Sequence, residues 1–189
     1  LSLGYGQQYR DADLVRIRQQ GWGLVRRPTG GRAILHGDEL TYSLSLPMTH
    51  ELARGDIIMS YRRISEALLV ALEQLGLSPR SDRHDDQPKV KGPVCFEVPS
   101  HYEITVEGRK LIGSAQVRRK DGILQHGSLP LIGDVARICE ALRYDDDTAR
   151  QQAADKVRER ALTLADAGLT IDWGTAAEAF IAGFAECFD

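Results

Sequence analysis

The stretch Tyr102-Glu103-Ile104-Thr105-Val106-Glu107-Gly108-Arg109-Lys110-Leu111-Ile112-Gly113-Ser114-Ala115-Gln116-Val117-Arg118-Arg119-Lys120-Asp121-Gly122-Ile123-Leu124-Gln125-His126-Gly127-Ser128-Leu129-Pro130-Leu131 decides the fold. It reads as three strands, 102–106, 110–117 and 123–131, joined by Glu107-Gly108-Arg109 and Asp121-Gly122. Short glycine-bearing connections between apolar, β-prone runs make hairpins, so the whole is a meander. Lys110 follows a turn and precedes the small residues Gly113, Ser114 and Ala115. Its ammonium can be aimed at a ligand lying across them, where no bulky side chain intrudes. The same residues fit a solvent-facing turn lysine beside a strand packed closely under a helix. His126 and Gly127 lie on the next strand. Adjacency brings His126 toward Lys110, or leaves it as a cross-strand hydrogen-bonding histidine.

C-terminal to the meander, from Asp134 onward, the periodicity is helical, with helices expected through Leu142, over Thr148 to Leu164 and over Thr175 to Phe188. Cys139 and Cys187 fall inside them, where a free cysteine is expected to be a small buried hydrophobe. N-terminal to it, Ser78 to Lys91 is polar and reads as an exposed connection. Ile57, Tyr61, Ile64, Leu68, Leu72 and Leu75, spaced by three and four, form the stripe of a helix stopped by Gly76. Leu40 to Leu46 alternates as a half-buried strand. Gly23 to Arg26 is a strand, and the turn Pro28-Thr29-Gly30-Gly31 predicts that it pairs with Ala33-Ile34-Leu35. Arg10 to Gln20 is a short helix, and Leu1 to Gly6 a strand. The chain opens inside that strand without Met, so a preceding segment is expected.

At 189 residues one domain is expected over 1–189, sheet-rich over 1–131 and helical over 132–189. With 42% hydrophobic and 27% charged residues the composition is that of a globular chain. No apolar run approaches the roughly 18 residues of a membrane span, and no signal peptide opens the chain, so a cytoplasmic protein without membrane attachment is expected. Three cysteines, Cys95, Cys139 and Cys187, stand far apart and offer no disulfide framework or C-x-x-C pair. Twenty-four basic against 27 acidic residues, with 6% aromatics, give no nucleic-acid footprint. No clustered His/Cys ligand set predicts a metal, and no Gly-rich nucleotide loop of either common kind occurs.

Arg26-Arg27-Pro28-Thr29-Gly30-Gly31-Arg32-Ala33-Ile34-Leu35-His36 is the first candidate site. Two adjacent glycines let backbone amides approach a ligand, and flanking arginines favour a carboxylate or phosphate. A solvated hairpin turn accounts for the same pattern, and His36 alone reads as a hydrogen-bonded structural histidine. Cys95, at a loop-to-strand junction before Phe96 and Glu97, can be a nucleophile if an ammonium such as Lys110 favours its thiolate.

Taken in order, the 26–36 loop, Cys95-Phe96-Glu97, Gly108 to Gln116 and Gln125-His126-Gly127 resemble the biotin/lipoate protein ligase family, nearly end to end and most closely its cysteine-dependent octanoyltransferases. The resemblance implies an α+β fold of the class II synthetase and biotin/lipoate ligase type, a mixed sheet flanked by helices, with an acyl tunnel beneath Gly30-Gly31. It assigns Cys95 as the nucleophile carrying the acyl thioester and Lys110 as the lysine near the acyl carbonyl. Arg26, Gly30, Gly31, Arg32 and His36 fall on the ligand loop, and Gly113, Ser114, Ala115, His126 and Gly127 on the opposite wall. Lipoate ligases usually have a third glycine where this chain has Arg32, and many carry a further C-terminal domain; both differences point to a transferase.

The activity implied is octanoyl transfer without cofactor by a monomer, from acyl carrier protein to the lysine of a lipoyl domain, as in glycine cleavage H protein or a 2-oxoacid dehydrogenase acyltransferase subunit. The alternatives are an ATP-dependent lipoate–protein ligase, with Cys95 incidental, and a non-catalytic acyl- or carrier-binding module. Arg26, Arg27, Arg32, Arg109, Arg118, Arg119 and Lys120 are expected to form a basic rim for acidic partners.

Overall fold

The computed structural model of the protein describes residues 1–82 and 103–188. Its main sheet has the order β3-β7-β6-β5-β4: β3 Glu39–Pro47, β4 Arg80–Asp82, β5 Glu103–Val106, β6 Arg109–Arg118 and β7 Gly122–Pro130. Every neighbouring pair in it is antiparallel. A second, two-stranded sheet joins β1 Ser2–Leu3 to β2 Val25–Arg26 in parallel. The fold is α+β.

Helices α2 (Ile57–Gln74) and α4 (Trp173–Phe188) cover one face of the main sheet. Asp56 caps α2 by accepting the Met59 N–H at 2.7 Å, which fixes where the helix starts. Leu68, Leu72 and Phe180 then meet Leu40, Tyr42, Ile104, Ile112 and Leu129 in the larger core. Each such buried side chain stabilises the fold by about 1.5–3 kcal/mol. A smaller core joins β1 to α1 (Leu14–Gln19), α3 (Asp147–Arg160) and a 3₁₀ segment, Val135–Ala141.

Several local expectations are corrected. The first helix begins only at Leu14, because Asp13 accepts the N–H groups of Val15 and Arg16, and Tyr9–Asp11 forms a separate 3₁₀ turn. Ile57 heads the α2 stripe but is 46% exposed. Ala33-Ile34-Leu35 does not pair with β2: Ser2 exchanges two backbone hydrogen bonds with Ile34 while β2 pairs on the other side of β1, so the chain start lies between them. Arg80–Asp82, within the polar connection, adds edge strand β4. Val135–Ala141 winds as 3₁₀ turns, in which Ala136 and Cys139, and Ile138 and Ala141, stack three apart and are all buried. Cys139 is buried as expected, but Cys187 is exposed.

α3 stops at Arg160, short of the Leu164 that periodicity implies. Leu162 donates to the Lys110 carbonyl at 3.0 Å, and Leu164 and Ala165 donate to Pro130 and Leu131 at 2.9 and 3.0 Å. β6 and β7 pair only over Gly113–Arg118 and Ile123–Ser128. The 161–165 segment is therefore wedged between the two strands where they part, supplying the backbone partners the ladder no longer gives.

Candidate functional site

Side chains along β6 and β7 alternate between the helix face and the opposite face. Register pairs Gly113 with Ser128, Ser114 with Gly127, and Ala115 with His126. Tyr42 packs on Phe180 and Phe184 and donates to Ser114 Oγ at 2.7 Å, which places Ser114 on the helix side. Burial pushes the Tyr42 hydroxyl up to about 12, so it remains a donor at neutral pH. A Cβ on Gly127 would stand 2.5 Å from Tyr42 Cε1 and 2.6 Å from Ser114 Oγ, on that same side. The expected wall of five residues is therefore split: Gly113, Ala115 and His126 share the face opposite α2 and α4, while Ser114 and Gly127 belong to the helix face.

Lys110 joins the Gly113 face through an irregularity. The β5–β6 register shifts between Ile104 and Thr105: Ile104 faces Ile112 while Thr105 faces Lys110. β6 thus carries one extra residue, and Leu111 and Ile112 both enter the larger core, at 0% and 1% exposure. A bulge re-aims the side chain beside it. Lys110 arches over Gly113, with Cε 3.2 Å from the point a Gly113 Cβ would occupy. Its Nζ lies 2.5 Å from Glu103 Oε1, both side chains being buried. Lys110 is thus an interior ion-paired lysine, and the alternative of a solvent-facing turn lysine falls away.

The glycine loop is held against this face from three sides. Thr29 Oγ1 lies 2.6 Å from His126 Nε2. The buried Arg27 guanidinium donates to the Ser2, Gly30 and Arg32 carbonyls at 2.9, 2.9 and 2.6 Å. Gly4 approaches so closely that a Cβ there would meet Gly31 O at 2.0 Å. Gly31 has φ +87°, a left-handed conformation that glycine adopts without strain. Gly30 faces open space and both glycines are exposed, as a loop that receives a ligand requires. Arg26, nominated for that ligand, instead donates to the Gly4, Tyr5 and Gln7 carbonyls and braces the neighbouring turn. Arg32 is half-buried on the loop.

His36 is linked to the Gly113 face through a carboxylate. Its Nδ1 lies 2.5 Å from Glu39 Oε1 and its Nε2 2.8 Å from Ser2 Oγ. Glu39 also accepts from Thr41 at 2.7 Å and from Ser128. Burial alone would push the Glu39 carboxyl up; the hydrogen bonds from His36, Ser128 and Thr41 outweigh it and hold the group below the usual carboxylate range. Ser2 is buried and also accepts from Arg27, so this Ser–His–Glu chain fixes the loop end rather than presenting a nucleophile. Beside it a cavity of about 40 Å³ is lined by Ile34, Leu35, Glu39 and Ser128.

Cys95, Phe96 and Glu97 lie outside the described residues. The expected basic rim does not form. Arg109 and Arg118 stand at opposite ends of the 10-residue β6, roughly 30 Å apart at the usual strand rise. Arg27 is buried, and Arg118 donates to Ala53 O at 2.6 Å and Ser60 Oγ at 3.0 Å. Glu39 and Glu103 escaped nomination, and Arg27, named for the rim, braces the glycine loop instead. Glu103 did leave a signal, a carboxylate alternating with Ile104 on the strand beside the Lys110 strand.

The arrangement places a buried ammonium over a glycine floor. Gly113 and Ala115 are two positions apart, roughly 7 Å, so the loop tied to His126 lies beside that ammonium. It can bind a carbonyl or carboxylate oxygen at Lys110 and polarise it in a dry site.

The chain matches the lipoyl protein ligase A/B catalytic domain over residues 1–185. It is 39% identical over 193 residues to octanoyltransferase LipM of Kyrpidia tusciae and 41% identical over 192 residues to that of Symbiobacterium thermophilum, covering 98% of this chain and 70% and 69% of theirs. Among solved structures it is similar to the bi-partite lipoate protein ligase of Thermoplasma acidophilum, with TM-score 0.80 and 25% identity over 98% of this chain and 66% of that one. A lipoate-protein ligase A bound with ATP shares the fold at TM-score 0.76 and 24% identity, over 98% of this chain and 67% of that one. This chain thus spans about 70% of those LipM relatives and about two thirds of those structures. Sequence and fold agree, and the chain belongs to the lipoyl protein ligase A/B catalytic domain family.

Proposed function

We propose that the protein transfers an octanoyl group to the lysine of a lipoyl domain through a thioester on Cys95, with acyl carrier protein as donor, acting as a cytoplasmic monomer that needs no cofactor. The observation that carries this reading is the 38–41% identity to relatives named octanoyltransferase LipM. No helix among the described residues is long and apolar enough to cross a membrane. In the first step the Cys95 thiolate attacks the donor's thioester carbon; the new C–S bond forms as the old one breaks, and the carrier leaves as a thiolate that takes up the proton Cys95 released. In the second, the acceptor amine attacks the Cys95 thioester, an amide forms, and the thiol returns. Thioester exchange is nearly isoenergetic and the final amide is more stable, so no nucleotide is needed to drive transfer.

Lys110 donates to the oxyanion that develops in both steps, and losing one such donor typically costs on the order of 100–1000-fold in rate. The Gly30-Gly31 loop holds the acyl group against Gly113, Ala115 and His126, with Arg32 and His36 fixing its edges. Intact mass spectrometry after mixing with octanoyl-acyl carrier protein, without ATP, tests the reading. A hydroxylamine-sensitive adduct that is absent from Cys95→Ala is expected; an adduct that persists in Cys95→Ala overturns the assignment.

The fold shared with the ATP-bound lipoate-protein ligase A favours one rival, activation of lipoate by ATP. Lipoylation that requires ATP and survives Cys95→Ala would replace the transferase.

A further inference from the structure

We propose that Glu103 is a positioning residue for this reaction, holding Lys110 as an ammonium aimed across Gly113. The inference rests on the octanoyltransferase reading for its kinetics, but its physical basis stands on the ion pair alone. Lys110 and Glu103 side chains are 3% and 8% exposed, with Nζ and Oε1 2.5 Å apart. A lysine so removed from water would lose its proton unless a counter-charge replaced the lost solvation. A carboxylate at charge-assisted hydrogen-bond distance supplies that charge.

The backbone shows why this carboxylate meets this lysine. With Ile104 opposite Ile112, Glu103 stands beside Gly113 on β5. The register shift that follows turns Lys110 onto the face of Gly113, and the missing Gly113 side chain leaves room for the lysine stem to cross back toward Glu103. Carboxylate, bulge and glycine thus converge on one atom, Nζ. An ammonium fixed in this way gives a hydrogen bond to an acyl oxygen; it does not take the proton of the acceptor amine. Glu103 never touches the acyl group and acts only through Lys110.

The test compares Glu103→Gln, Lys110→Ala and the double variant using a small octanoyl thioester donor, together with the Lys110 Nζ chemical shift, which separates ammonium from amine. Expected are a kcat about 100-fold lower in E103Q with KM nearly unchanged, and a double variant no slower than K110A, since residues acting as one unit are not additive. The Nζ signal is expected to be ammonium in the wild type and to move toward amine in E103Q. A role in folding alone would lower kcat additively and leave the Nζ signal unmoved, which overturns the proposal. So does an E103Q enzyme as fast as wild type. Should E103Q not fold, Glu103→Asp keeps the charge and is expected to retain the ammonium while misplacing it. If the wild type transfers no octanoyl group, the activity reading fails by itself, and the Nζ measurement still decides the role of Glu103.

Discussion

Thr29 and His126, 97 residues apart in the chain, meet at 2.6 Å and join the glycine loop to the sheet. Burial, then the charges of Arg27 and His36, hold the His126 ring below its ordinary pKa, so the folded protein keeps it neutral. The unfolded chain takes up that proton near pH 6.5, so this contribution to stability is present above pH 6.5 and is lost as pH falls below it. Thermal denaturation is expected to show the wild type losing more stability than His126→Gln between pH about 7 and about 5.5. Equal slopes would remove His126 from the pH dependence. The Glu39 contribution is lost only below its ordinary value of 4.5, outside that window.

Gly113 and Gly127 predict opposite phenotypes from the same substitution. An alanine at 113 presses its methyl on Lys110 Cε at 3.2 Å, and the flexible stem yields by tenths of an ångström. Transfer is expected to fall about tenfold, because small misplacements of a reacting group are costly, with the melting temperature nearly unchanged. At 127 the methyl meets Tyr42, Ser114 Oγ and the Gly113 carbonyl at 2.5–2.7 Å. Gly127→Ala is expected to cost about 1–3 kcal/mol of stability in urea denaturation.

Adjacent arginines on one loop are expected to differ. Arg27→Lys loses a fork that no ammonium reproduces and unties the part-buried Gly30 and Arg32 carbonyls, at about 1–2 kcal/mol by urea denaturation. Arg26 is exposed, and Arg26→Lys is expected to cost under about 1 kcal/mol.

Arg118→Glu removes donors to Ala53 O, Asp56 O and Ser60 Oγ. Its activity is expected to fall equally with carrier-bound and small octanoyl thioesters, tracking a lower melting temperature. Exposed Arg119→Glu is expected within about 0.5 kcal/mol of wild type. A loss confined to the carrier donor would restore Arg118 to a docking role.

Glycine-bearing turns between apolar runs exposed the meander, and periodicity exposed the α2 stripe and the α4 helix, because each helix buries one face and repeats at the matching interval. The ordered motifs carried the family. What stayed hidden depended on partners far along the chain. Nothing local shows that β1 comes between β2 and Ile34, or that Arg27 turns inward while Arg26 turns out. Small residues marked the site, and two-residue alternation divides Ser114 from Gly113 and Ala115 on one strand and Gly127 from His126 on the next. The bulge was not legible, since an extra residue in a strand shows only against its neighbour.

That extra residue makes the length of β6 as consequential as its chemistry. Inserting one residue between Ile104 and Thr105, opposite Leu111, would restore an even ladder and swing the lysine toward the apolar side, beneath α2 and α4, with every amino acid type of the site still present. Among related enzymes, a one-residue insertion there would separate a competent copy from an inert one that simple residue matching scores as intact.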